Sequence, residues 1–160
     1  MNDNEKKQKQ IRLLQQNLRS IRQIAGWTAE QLGNKIGVTK QTIGDLENIK
    51  RTMNLTQYLA IRSILDEETN SNSENSAVLR QVIEICVDKG AELEDESNIE
   101  IKDTVETVAA SASKGKKGAA LDKLLIALLK SLSSPAVISS LASLGIMLFQ
   151  SGTSGIKKIK

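Results

Sequence analysis

Lys40, Gln41, Thr42 and Asp45 set an ammonium, an amide, a hydroxyl and a carboxylate within six residues of one another. Such a group can donate and accept hydrogen bonds to a polar ligand, but it has no means of breaking one. The rest of the chain adds little catalytic material. Its 160 residues include no histidine, one cysteine, one tryptophan, one tyrosine and one phenylalanine. There is no Cys/His metal cluster, no Walker lysine loop and no Gly-x-Ser-x-Gly elbow. No enzyme, metal, cofactor or small-molecule substrate is expected. Cys86 sits between Ile85 and Val87, which predicts a buried small hydrophobe in a reducing cytosol.

Two short helices joined by a tight turn must carry the polar set. Thr28 can cap the first, its hydroxyl accepting from a backbone N–H two or three residues on. Leu32 and Ile36 lie one turn apart on a single face, and Gly37 follows them where a left-handed residue ends a helix at little steric cost. Val38 covers the corner and Thr39 caps again. Ile43 and Leu46 then form the buried stripe of the second helix, which leaves Lys40, Gln41, Thr42 and Asp45 pointing outward. Upstream, Ile11, Leu14, Leu18, Ile21 and Ala25 recur at spacings of three and four, predicting a helix over about 9–25. Downstream, Asn54 caps a fourth helix through Tyr58, Leu59 and Leu65.

With these elements in place, residues 10–65 resemble the helix-turn-helix of the Cro and lambda-repressor family, the XRE-type regulators. The resemblance rests on LRSIRQIAGWTAEQLGNKIGVTKQTIGDLENIKR followed by NLTQYLAIRSIL. It implies that the helix after Thr39 enters the major groove while the preceding helix crosses the backbone. Thr39, Lys40 and Gln41 then lead the DNA contacts: Gln can bond adenine bidentately, and Lys can donate to guanine or to phosphate. Thr42 could meet a thymine methyl, and Asp45 could accept from cytosine N4. Asn48, Lys50 and Arg51 would hold the sugar-phosphate backbone. The resemblance also pairs Arg22 with Glu47, tying the first helix to the third, and sets Trp27 over the core. Some positions depart from the pattern. Gly44 stands within the recognition helix, Ile49 replaces the glycine after Glu-Asn, Met53 a common proline and Arg62 a common alanine. The exit from the third helix is therefore expected to differ locally.

Charge is strongly segregated. Residues 1–65 hold 11 Lys/Arg against 5 Asp/Glu, residues 66–113 hold 3 against 13, and residues 114–160 hold 8 against 1. A basic N-terminal block suits a polyanion such as duplex DNA, whose neutralised phosphates release counterions. The acidic middle would be repelled by the same polyanion.

The chain reads as all-α, with an N-terminal domain over 1–65, a flexible polar linker over 66–76 and a helical region over 77–160. Residues 77–90 predict a helix with Cys86 facing inward. Ser97 and Glu100 fit a capping box for the next helix, although IEIK at 99–102 also alternates as a short strand does. SKGKKG at 113–118 is a basic hinge. Residues 119–150 predict an apolar helical hairpin broken at Ser133-Ser134-Pro135, with Leu124, Leu128, Leu141, Leu144 and Leu148 as candidates for oligomerisation. The uncharged run 131–156 contains eight serines, and its densely apolar part, Ala136 to Phe149, is short for a bilayer span.

Two functions follow from these readings. The preferred one is a cytoplasmic, sequence-specific DNA-binding transcriptional regulator, a repressor of phage, plasmid, mobile-element or antitoxin type, bacterial or phage-encoded, acting on double-stranded DNA as a homodimer or higher oligomer. The alternative is an interaction or membrane-associated protein whose C-terminal helices oligomerise or insert while the N-terminal module only anchors it. No secretory signal is expected, since MNDNEKKQKQ has no apolar segment behind it.

Overall fold

A computed structural model describes residues 1–132 and 134–143, all helix and connecting turns with no strand among them. The expected interface residues Leu144 and Leu148 lie outside the described residues. Among the described residues eight α-helices follow in order: α1 (Asp3–Ala25), α2 (Ala29–Ile36), α3 (Lys40–Glu47), α4 (Leu55–Thr69), α5 (Ser76–Ile83), α6 (Asp95–Ser113), α7 (Gly118–Lys130) and α8 (Pro135–Ser143). A π-helical turn, Glu84–Asp88, extends α5, and a 3-10 turn, Gly90–Glu92, leads into α6.

Helix α1 is the common axis, packing on α3 and α4 and also on α5 and α6. Leu14, Leu18, Ile21 and Ile24 are essentially inaccessible to solvent, in one apolar core that continues through Val82, Ile101, Leu125 and Leu141. α1 also begins two turns earlier than its apolar stripe. Asn2 accepts from the Glu5 N–H at 2.8 Å, and the Glu5 carboxylate accepts from the Asn2 N–H at 3.0 Å, a reciprocal cap. Lys6 and Lys9 then reach Glu92 and the Leu93 carbonyl, holding the polar turns against the start of α6.

The same sharing of α1 alters the expected linker. The boundary at residue 65 falls inside α4, which continues to Thr69, where Arg80 bonds the Thr69 carbonyl. Asn75 then donates to the Ile24 carbonyl at 2.9 Å and accepts from the Gly118 N–H at 2.8 Å. One side chain thus pins the 70–75 turn to the end of α1 and to the start of α7.

α6 corrects two further expectations. It starts at Asp95, so acidic Asp95 and Glu96 fill its first turn, where the helix dipole favours them. Ser97 caps nothing; it is buried and hydrogen-bonded to Ser134, and IEIK is helical. In α7 the fully buried residues are Leu121, Leu125 and Leu129. Leu124 and Leu128, expected at an oligomer interface, are half-buried against the chain's own core, and Leu141 is wholly inside it. Among the described residues no helix is long and apolar enough to cross a membrane.

Met53 and Arg62, which depart from the resembling pattern, acquire physical reasons. The buried Gln15 amide donates to the Leu46 and Arg51 carbonyls at 3.0 and 2.7 Å, while its oxygen accepts from the Met53 N–H at 2.9 Å. A proline at 53 would lack that donor. Arg62 reaches Asp88 through both terminal nitrogens, joining α4 to the π turn. Replacing Gln15 by leucine leaves the Arg51 carbonyl and the Met53 N–H without their partner, while the Leu46 carbonyl keeps the Ile49 N–H, so chemical denaturation should show a loss of about 2–3 kcal/mol with little change in helix content.

Candidate nucleic-acid interface

Local chemistry builds the α2–turn–α3 unit. Thr28 accepts from the Gln31 N–H at 3.0 Å and its own N–H donates to the Gln31 carboxamide at 2.8 Å, closing a capping box on α2. Gly37 ends α2 in the left-handed region at φ 76°. The close turn depends more on Gly33, where an added Cβ would lie 2.6 Å from the Val38 carbonyl oxygen. Thr39 then caps α3, accepting from the Thr42 N–H at 3.1 Å. Ile43 and Leu46 are fully buried, so the opposite face of α3 is turned away from the core.

That opposite face carries the polar set. Lys40 and Gln41 are exposed at the start of α3, uncovered by any described part of the chain, and Thr42 is half-buried behind them. Gln41 donates to the Asp45 carboxylate at 2.9 Å, and the Thr39 and Thr42 hydroxyls lie 3.0 Å apart. Asp45 also has Arg51 at 4.0 Å, which partly neutralises it. Asn48, Lys50 and Arg51 follow, all exposed. The arrangement offers donors and acceptors at the helix tip and cations at its exit.

An ion-pair cluster fixes the angle of α3 against α1. Glu47 is 4% exposed at its side chain, and Arg22 binds it through Nε at 2.5 Å and Nη2 at 3.1 Å. Arg22 Nη1 also donates to the Trp27 carbonyl at 2.9 Å. Trp27 packs against the core, with the Lys35 ammonium 4.9 Å above its ring. Sequence reading missed Arg19. It lies 3.3 Å from Glu47 and donates to the Asn48 side chain at 2.8 Å, so an exposed guanidinium stands beside the α3 exit. Its i, i+3 spacing from Arg22 was the available signal.

Two residues in this unit sit awkwardly. Ile49 adopts φ 57°, the left-handed conformation glycine would take freely, so the α3 exit keeps that conformation rather than departing from it. Gly44, in contrast, lies in mid-helix with nothing within 4 Å of an added Cβ. Ile49→Gly and Gly44→Ala should each raise stability by about 1 kcal/mol, read as separate increases in melting temperature.

Oligomerisation has less to draw on, since Leu124, Leu128 and Leu141 are engaged within the chain. Among the described residues no three His, Cys, Asp or Glu side chains converge as a metal site. Burial pushes the Cys86 thiol up, away from thiolate reactivity.

No curated protein and no solved structure matches the chain. A family model described as helix-turn-helix does match, over residues 18–68, spanning the end of α1 through nearly all of α4. That family is DNA-binding rather than catalytic. Residues 18–68 are thus a Cro/C1-type, DNA-binding helix-turn-helix, set within a chain whose remaining two-thirds lies outside the match.

Proposed function

We propose that this chain is a cytoplasmic, sequence-specific transcriptional regulator, acting as a repressor of the phage, plasmid, mobile-element or antitoxin kind. The exposed, uncovered Lys40 and Gln41 at the capped tip of α3 carry this reading. Gln41 reads adenine or, bonded to Asp45, presents a fixed amide edge; Lys40 donates to guanine or to a flanking phosphate. Thr42 and Asp45 shape the neighbouring base step. Asn48, Lys50 and Arg51, joined by Arg19, hold the phosphates that set the register. Two copies would place their α3 helices on half-sites about 10 bp apart.

Selection of bound duplexes from a random-sequence pool by the full-length protein tests this directly. A recovered consensus, repeated at about 10 bp if two copies bind, is the expected result. Retention of duplexes without any shared sequence rules out base readout by α3.

A further inference from the structure

The hinge between α6 and α7 is folded back beside the helix-turn-helix. Lys114 lines an open groove of about 560 Å³ together with Gln16, Arg19 and Gln23 of α1, Lys102 of α6 and Glu47 at the end of α3. Arg19, on this groove, is the residue bonded to Asn48 at the α3 exit. The far side of the hinge is fixed as well, because the Gly118 N–H is bound by Asn75, which also bonds Ile24 at the end of α1. The hinge backbone is itself closed, with the Lys116 N–H on the Ser111 carbonyl and Gly115 at φ 99°. Position and order are therefore set from both sides.

Its cations are unevenly committed. Lys102 is bonded to Glu106, and Lys117 lies 3.9 Å from Glu74. Lys114 and Lys116 are exposed, and neither has a carboxylate partner among the described residues. Arg19 links the two regions, bonded to Asn48 at the α3 exit and lining the same groove as Lys114.

We propose that Lys114 and Lys116 form a second phosphate-binding strip, continuous with Arg19, through which the C-terminal helices grip the same DNA duplex that α3 reads. This rests on the DNA-binding reading of α3 and extends it to a part of the chain outside the helix-turn-helix. The contact is electrostatic. It adds affinity and salt dependence at every sequence and leaves base preference to α3.

The test is the salt dependence of binding of the full-length protein to a random-sequence 30-bp duplex. Each lost phosphate contact lowers the slope of log affinity against log salt by about 0.9. The Lys114→Gln/Lys116→Gln pair is expected to lower it by about 2 and to weaken binding at 0.1 M salt on the order of tenfold or more. Lys114→Arg/Lys116→Arg keeps the wild-type slope. Lys89→Gln/Lys123→Gln, which removes equal charge elsewhere, keeps most of it. An unchanged slope in the hinge Gln pair overturns the proposal. So does a pair that keeps its DNA slope but loses binding to phosphatidylglycerol vesicles, which would assign the hinge to a membrane surface. Failure of the wild-type chain to bind any duplex overturns the α3 reading too, and so is distinguishable from failure of the hinge alone.

Discussion

Arg22→Met is expected to destabilise the protein by about 3–5 kcal/mol and to lower its melting midpoint by about 10 °C. The reason is what it leaves behind. Glu47 is almost fully buried, and without Arg22 its carboxylate keeps only the exposed Arg19, 3.3 Å away. The Trp27 carbonyl loses its guanidinium donor at the same time. A desolvated, under-partnered charge costs far more than the intact pair contributes. Glu47→Leu should therefore destabilise comparably, and the Arg22→Met/Glu47→Leu double variant much less than the sum, because it buries no stranded charge. Differential scanning calorimetry of the four proteins closes the cycle. Salt separates this cluster from surface pairs. The penalty should persist at 0.5 M NaCl, whereas an exposed pair such as Lys6–Glu92 is screened there. Strict additivity of the two single losses would show the pair to be decorative.

That cluster joins features set by adjacent residues to features set by partners far along the chain. The caps at Thr28, Thr39 and Asn54 and the turn at Gly37 are local events, each decided by a few adjacent residues, and local chemistry is legible in a sequence. Where a distant partner decides the conformation, the adjacent residues do not reveal it. The first two turns of α1 carry no apolar stripe; the Asn2–Glu5 cap that starts them is local, but what holds them to the fold is Glu92 and Leu93, more than eighty residues away. Ser97 looked like a cap until Ser134 claimed its hydroxyl. α7 is apolar around more than half of its circumference, so its sequence admits several inward faces. Only packing against α5 and α6 selects Leu121, Leu125 and Leu129 over Leu124 and Leu128. A polar run at 66–76 resembled a linker because its order comes from Arg80 and Asn75 bonding backbone carbonyls.

The candidate interface divides the same way. The tip of α3 was legible because a cap and a buried stripe fix which side chains face outward. Arg19 is signalled only by its spacing from Arg22 and the 113–118 hinge only by its charge; what sets Arg19 beside Asn48, and Lys114 on the same groove, is helix packing. The result is a helix-turn-helix whose first helix is also the wall of a second layer. Cutting the chain after residue 70 would bare the face of α1 that α6 covers, including Leu13, whose side chain lies against Gly90. Experiments on DNA recognition therefore call for the full chain.

Lys40→Ala/Gln41→Ala in that full chain should weaken binding to its selected site by about 100-fold while leaving the melting temperature within a degree or two. Each base-edge contact discriminates by about 1–3 kcal/mol, so losing two takes away most of the preference for the selected site over random duplex. Stability is spared because both side chains are exposed, and the bond lost with Gln41, to Asp45, is a surface i, i+4 contact worth a few tenths of a kcal/mol. Lys50→Gln provides the contrast. It should weaken selected and random duplexes alike and lower the salt slope by about 0.9, the signature of a phosphate contact. The two variants thus move different quantities, discrimination in one and salt dependence in the other. If the α3 double variant lost affinity equally on all sequences, Lys40 and Gln41 would belong with Lys50 as backbone contacts. Base selection would then have to come from DNA shape, read through the spacing of cations around α3 rather than through its tip.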